Sequence, residues 1–114
     1  MNEQVESWQQ KIRDLAPQIQ QAEYNLLKSQ ADIKKLQAKL ELVATSQGVK
    51  TISAQKTYAD NSDELYEARL KEGVAKGKLS SLKIELKSLD VGFEEWRTKM
   101  VNAREERKRY DTKL

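Results

Sequence analysis

Along the first 43 residues, small or apolar side chains recur at alternating spacings of three and four positions. This spacing places them on one stripe of an α-helix, and its persistence over more than about three heptads is typical of a coiled coil. Pro17 falls at an outer position, where it bends a helix without interrupting the stripe. The pattern predicts a helix over residues 1–46. Its first seam comprises Val5, Trp8, Ile12, Leu15, Ile19, Ala22, Leu26, Ser29, Ile33, Leu36, Leu40 and Val43.

The register fails near Gly48, and residues 47–61 are rich in turn-forming polar residues, so they are predicted to form a linker. We place its turn at residues 58–61, with a short helical piece over residues 53–58 left open. Asn61, followed three positions later by a glutamate, predicts the N-cap of the next helix.

From residue 65 the spacing of three and four resumes and predicts a second long helix over residues 62–114. We interpret a further set at seven-residue intervals as a stripe beside this seam, which would contact a second neighbouring helix. Gly73 and Gly77 either permit close helix approach or mark a soft joint. The second seam comprises Leu65, Ala68, Glu72, Ala75, Leu79, Leu82, Leu86, Leu89, Phe93, Trp96, Met100, Ala103, Arg107, Tyr110 and Leu114, and the further set Leu70, Gly77, Ile84 and Val91.

These elements predict an all-α chain in which two long helices form a helical hairpin or coiled coil that self-associates. Self-association or binding of a partner helix is expected because a single hairpin would leave the further stripe exposed. The aromatic members of the seams are interpreted as packing residues, with an aromatic binding site as the alternative. The packing seam is assigned to Ile12, Ile19, Leu26, Ile33, Leu36, Leu40, Leu79, Leu82, Leu86, Leu89, Phe93 and Trp96.

Composition argues against most enzyme chemistry. The 114 residues include no Cys and no His, which removes thiol nucleophiles, imidazole acid–base catalysis and Cys/His zinc sites. No phosphate-binding glycine loop or converging set of carboxylates is recognisable. We therefore expect a non-enzymatic protein with no catalytic residue, metal or cofactor. The lack of a long apolar run predicts no membrane contact and a cytoplasmic location.

The formal net charge of +3 is unevenly distributed, because residues 97–114 hold seven basic and three acidic side chains. Such a basic end, near Trp96 and Tyr110, offers phosphate contacts and base stacking, the chemistry of single-stranded nucleic-acid binding. Basic residues also complement the dipole of a helix end and form ion pairs along a solvated face. Both interpretations stay open. The nucleic-acid-binding candidates are Arg97, Lys99, Arg104, Arg107, Lys108 and Arg109.

The block from Leu89 to Arg104, LDVGFEEWRTKMVNAR, with the segment that begins at Tyr66, resembles small helical proteins of bacteriophages. The plan of a helical N-terminal part, a Tyr-containing linker and a long helix with a Trp cluster is similar to the UvsY-type recombination mediators of phages. The likeness covers about residues 55–110. The linker lacks the longer Gly-rich insertion of that family, and the final segment is a charged run of Arg, Glu and Lys.

The resemblance implies an oligomeric accessory protein that binds single-stranded DNA, helps a recombinase or annealing protein to load, and works in the host cytoplasm. At the matching positions it implies DNA contacts by the six basic candidates. The alternative is a purely protein-binding adaptor, scaffold or inhibitor whose basic end contacts no nucleic acid.

Overall fold

A computed structural model of the chain is all-helical, which confirms the predicted fold class at that level. It describes the backbone of residues 2–113 and the side chains of residues 7–109. The helices are α1 (Asn2–Ser46), α2 (Ile52–Asp60) and α3 (Asp63–Lys113), and no strand occurs within residues 2–113. Three predicted seam members, Val5, Tyr110 and Leu114, lie outside the described side chains.

The chain divides into two compact units. Unit 1 comprises Met1–Gln18 and Leu82–Leu114, and unit 2 comprises Ile19–Ser81. Unit 2 thus holds the carboxyl-terminal part of α1, all of α2 and the start of α3. Each unit contains a stretch of both long helices.

The core of unit 2 draws one fully buried residue from each of its three helices. These are Ala44 in α1, Ala59 in α2 and Leu65 in α3, each 0% exposed. Two of the three are alanine, whose small side chain lets helices approach closely. The first seam was predicted to end at Val43, yet Val43 is 36% exposed and Ala44 is buried. A helix of 3.6 residues per turn drifts against a seven-residue repeat, which shifts the buried position.

A glycine cap ends helix α1. The amide of Gly48 donates to the carbonyl of Thr45, and the amide of Val49 donates to the carbonyl of Ala44, both at 3.1 Å. Gly48 has a φ of 91°, the left-handed conformation that this pair of bonds requires. The cap satisfies carbonyls that the helix end would leave unpaired, and it fixes where the linker leaves α1.

The predicted linker contains helix α2, so the chain has three helices rather than two. The hydroxyl of Thr51 caps α2 by accepting a bond from the amide of Ala54 at 3.1 Å. Asn61 was predicted to cap α3, but it is the C-cap of α2 instead. The amide of Tyr66 donates to the carbonyl of Ser62, so α3 starts one position later than that prediction required. The predicted turn at residues 58–61 was wrong because α2 continues to Asp60.

An ion pair joins α2 to α3 on the surface of unit 2. The guanidinium of Arg69 donates to the carboxylate of Asp60 at 2.8 Å, and both side chains are about half exposed. Exposed pairs of this kind contribute roughly 0.2–1 kcal/mol. The alanine and leucine core, rather than this pair, therefore holds the three helices of unit 2 together.

In unit 1, α1 and α3 meet at Trp8 and Gly92. The indole of Trp8 lies so close to Gly92 that a Cβ atom there would stand 2.7 Å from Cη2 of the ring. Nearby, the rings of Phe93 and Trp96 stack at a centroid distance of 6.0 Å. Leu15 is the buried aliphatic residue of the α1 segment in this unit.

The residues assigned to the packing seam are only partly covered. Leu79 is 9% exposed, and the others are half-buried: Ile12, Ile19, Leu26, Ile33, Leu36, Leu40, Leu82, Leu86, Leu89, Phe93 and Trp96. Among the described residues, the positions around them are mostly exposed. Both long helices therefore present one narrow apolar stripe to their neighbours.

The further set of α3 lies on an exposed side of the helix. Leu70 and Val91 are about half exposed, Ile84 is 66% exposed, and no described side chain lies within 4 Å of a Cβ built at Gly77. The expectation of a stripe beside the seam was wrong, because these residues occupy heptad position f, opposite positions a and d. Gly73 is equally open, so neither glycine serves close approach within the chain.

Candidate nucleic-acid interface

The basic end of α3 extends past the beginning of α1. Trp8 of α1 contacts Gly92 of α3, and the covered residues of α3 continue from Gly92 to Met100, which places the start of α1 beside residues 93–98 of α3. Helix α1 has six residues before Trp8, whereas α3 has 21 after Gly92. At about 1.5 Å per residue, α3 continues for about 22 Å beyond the start of α1. We call residues 99–113 the overhang.

Within the overhang, the side chains of residues 101–109 are exposed to solvent. Every described residue from 101 to 109 is exposed, including Ala103 and Arg107 at the predicted seam positions. Met100 is half-buried and is the last covered seam residue. The covered part of the seam therefore ends near the start of α1, and the described residues after Met100 carry their charged groups in water.

The six basic candidates divide between two faces of α3. At about 100° per residue, Arg97, Arg104 and Lys108 lie on one line, and Arg107 is adjacent to it. These four residues form the basic face. Lys99 and Arg109 point to the opposite half of the helix, which we call the opposite face. The six candidates therefore form two sets on different faces of α3. A single nucleic-acid strand would not contact both sets equally.

Acidic side chains interrupt the opposite face. Glu106 lies on that half of the overhang and Glu105 lies at its edge, about 80° from Arg97 around the helix; with Arg109 they border a shallow depression. On the basic face, Arg97 pairs with Glu94 at 3.8 Å, with both side chains about two-thirds exposed. Arg104 and Arg107 form no ion pair with a side chain that the structure describes. Among residues 97–109, the cationic groups therefore outnumber the carboxylates on the basic face.

The aromatic residues are placed differently from a base-stacking site. Trp96 packs on Phe93 along the seam and points about 100° away from the line of Arg97 and Arg104. The side chain of Tyr110 lies outside the described residues. In the described part of the basic face, the chemistry available to a ligand is phosphate contact by guanidinium and ammonium groups.

An apolar line on the outer surface of α1 in unit 2 is absent from the sequence-based predictions. Tyr24, Leu27 and Leu42 are each at least 60% exposed, and the exposed Ala31 and Ala38 lie between them. Their spacings of three, four and seven place them on one face. The same periodicity that revealed the seams would have revealed this line, which is visible once the seam residues are set aside.

The described residues offer neither a metal-binding cluster nor a membrane-spanning helix. No group of three or more Asp or Glu side chains is arranged there to hold a metal ion. Among the described helices, none combines the length and apolar character that crossing a bilayer requires.

Comparison of the chain with protein-family models, with curated proteins and with solved structures found no match.

Proposed function

We propose that this chain is a non-enzymatic helical accessory protein that binds single-stranded DNA through the basic face of α3. In this proposal α1 and α3 form an antiparallel hairpin that self-associates, and the overhang reaches out to the nucleic acid. The observation that carries the proposal is the overhang itself, a stretch of helix without α1 beside it and with exposed guanidinium groups.

The basic face suits the phosphate backbone better than the bases. Arg97, Arg104 and Lys108 follow one line along about three turns of helix, a spacing that can track successive phosphates. Because contacts to phosphate do not read the bases, binding should tolerate any base sequence. Four contacts from one molecule give modest affinity, so assembly of several chains would raise it through avidity. A role beside a recombinase or annealing protein fits this chemistry and the phage-type resemblance.

Fluorescence anisotropy with a labelled single-stranded oligonucleotide tests the proposal. With about four phosphates neutralised per chain, the logarithm of the binding constant should fall with the logarithm of salt at a slope of about −3. Oligonucleotides of different sequence should bind alike. An absence of binding at about 0.05 M salt, where charge screening is weak, contradicts the proposal.

A second candidate function is a protein-binding adaptor without nucleic-acid contact. The exposed line of Tyr24, Leu27 and Leu42 favours it, since contiguous exposed apolar residues mark protein interfaces. Salt dependence separates the two functions, because burial of an apolar line persists at high salt whereas phosphate contacts weaken.

A further inference from the structure

The apolar line on the outer surface of α1 in unit 2 is long enough for a second helix to lie along it. Tyr24, Leu27 and Leu42 are its large residues, and each is at least 60% exposed. The exposed Ala31 and Ala38 lie between the two leucines on the same face. From its first to its last residue the line measures about 27 Å, at about 1.5 Å per residue. We call these five residues the outer line.

Three lysines border the outer line on one side. At about 100° per residue, Lys28, Lys35 and Lys39 all lie within about 90° of the middle of the line. All three side chains are exposed, and none forms an ion pair with a described side chain. Asp32 lies farther round the helix, at a groove between α1 and α3, and its charge offsets one of the three. We call the three lysines the lysine row.

The other border of the outer line carries charges of both signs. Lys34 lies there between Glu23 and Glu41 along the chain. Glu23 has an interaction of its own, and Glu41 is half-buried. At about 100° per residue, both glutamates are about 120–140° around the helix from Lys28 and Lys35, so they do not neutralise the lysine row. The outer surface of α1 therefore has an excess of positive charge along one border only.

A helix with its own apolar stripe and a border of carboxylates complements this surface. Helices pair along apolar stripes, and charged side chains at the borders of the stripes select the partner. Ala31 and Ala38 make the middle of the outer line shallow, which leaves room for large aliphatic side chains. We propose that the outer line docks a partner helix that has large aliphatic residues in its stripe and Asp or Glu along the border that faces the lysine row.

A second copy of this chain complements the outer surface less fully. In an antiparallel pair of outer lines, the two lysine rows would face each other and repel. In a parallel pair, each row would face the other border, where Lys34 offsets half the charge of Glu23 and Glu41. Nucleic acid would match the lysine row but would leave the outer line in water. An acidic amphipathic helix satisfies both the row and the line.

The contact should be weak and sensitive to salt. A strip about 27 Å long and about 10 Å wide, the width of a helix, covers about 270 Å² on each side. Stable interfaces bury about 800 Å² per partner, so this docking belongs with transient contacts of micromolar or weaker affinity. The inference rests on the second candidate function, for which it names the class of partner. It does not depend on DNA binding by α3.

Fluorescence anisotropy with a labelled synthetic helix tests the docking site. The probe has three heptads with leucine at positions a and d and glutamate at e and g, and a second peptide has lysine at e and g. At about 0.05 M salt, the glutamate peptide should bind at least ten times more tightly than the lysine peptide. Leu27→Ala/Leu42→Ala should weaken its binding at least fivefold. The control Val74→Ala removes an exposed apolar side chain from α3 and should leave binding unchanged.

Exchange of charges tests the lysine row. Lys28→Glu/Lys35→Glu should bind the glutamate peptide at least ten times more weakly and the lysine peptide at least ten times more tightly than the wild type does. The control Lys71→Glu/Lys78→Glu makes the same change at exposed sites of α3 with the same spacing of seven residues. It should bind both peptides within about twofold of the wild type. Circular dichroism with unaltered helix content ensures that each variant is folded.

Several results would overturn the inference. One is no binding of the glutamate peptide at about 0.2 mM, where even weak contacts are detected. Another is unchanged affinity in Lys28→Glu/Lys35→Glu, or a loss in Arg104→Glu/Arg107→Glu instead, which would place the peptide on the overhang. Association of the wild type that Leu27→Ala/Leu42→Ala abolishes, measured by sedimentation velocity, would assign the outer line to a second copy. Displacement of the peptide from the lysine row by an oligonucleotide would assign the row to nucleic acid.

The same variants separate this failure from failure of the proposed functions. Equal binding of both peptides through the outer line would retain a protein-binding adaptor and overturn only the acidic partner. Lys28→Glu/Lys35→Glu should keep its oligonucleotide affinity within about twofold, because the basic face of α3 is unchanged. A wild-type chain that binds the glutamate peptide but no oligonucleotide would contradict DNA binding and support the docking site.

Discussion

The indole ring of Trp8 covers Gly92 so closely that the α-carbon of this glycine has no room for a methyl group. This contact fixes the register of α1 against α3 in unit 1. The register in turn determines how much of α3 extends beyond α1. The close approach of Trp8 and Gly92 therefore sets the length of the overhang, and with it the exposure of the basic face.

Replacing Gly92 by alanine should lower the stability of the protein, whereas the same replacement at the other helical glycines should raise it. Gly73→Ala and Gly77→Ala fill open space and should raise stability by about 1 kcal/mol each, through helix propensity. Gly92→Ala gains the same propensity but must displace a ring at 2.7 Å, an overpacking cost of about 1–3 kcal/mol. Urea denaturation of the three variants measures the difference, which we expect to exceed 1 kcal/mol.

A double-mutant cycle localises this effect. In a Trp8→Leu background the ring is absent, so Gly92→Ala should stabilise α3 as Gly73→Ala does. Coupling between the two sites of less than about 0.5 kcal/mol, the range of additive sites, would show that Trp8 and Gly92 are not in contact.

Gly48→Ala should destabilise the chain by about 1 kcal/mol. The φ of 91° at this position disfavours any side chain, and no neighbouring atom contributes to the cost. Thermal unfolding followed by circular dichroism reports the change. Gly48→Asn should lose less, because asparagine tolerates the left-handed region; equal losses would indicate a cause other than backbone conformation.

Substitutions at buried and at surface sites of α2 should lower the free energy of unfolding by very different amounts. Ala59→Leu inserts a larger side chain where no exposed surface remains, and we expect a loss of about 1–3 kcal/mol. Asp60→Asn breaks only the half-exposed pair with Arg69 and should cost less than about 1 kcal/mol. Chemical denaturation in matched buffers compares them, and similar losses would mean that α2 is not packed on its neighbours through Ala59.

Much of the fold follows from the three-and-four spacing, because apolar periodicity dictates which side of a helix can be covered. It places residues such as Ile33 and Leu86 on covered stripes without any tertiary information. It does not reveal α2, since a nine-residue helix with one buried alanine has almost no periodic signal. Asn61 illustrates the limit: an asparagine is compatible with either end of a helix, and only the extent of α2 decides which.

The sequence predicts which charged residues the candidate site contains, but it does not predict how they are arranged in space. Counting charges locates a basic end, and a helical projection divides Arg104 from Arg109. The overhang depends instead on the register between α1 and α3, which Trp8 and Gly92 set across more than 80 residues of sequence. A groove in unit 2 likewise brings Asp32 of α1 near Glu67 of α3, residues that no local pattern connects.

Amide hydrogen exchange should distinguish the overhang from the covered part of α3. Helical segments without tertiary packing open readily, so amides of residues 101–109 should exchange much faster than those near Leu79. Single-stranded DNA should then slow exchange in residues 101–109. Uniform protection along α3 in the free protein would contradict an unsupported overhang.

The most direct test of the account compares two charge-reversed variants for oligonucleotide affinity. Arg104→Glu/Arg107→Glu alters the basic face, and Lys99→Glu/Arg109→Glu alters the opposite face with an identical change in net charge. By fluorescence anisotropy at about 0.1 M salt, we expect the first variant to lose at least ten times more affinity than the second. Equal losses in the two variants would contradict binding through the basic face.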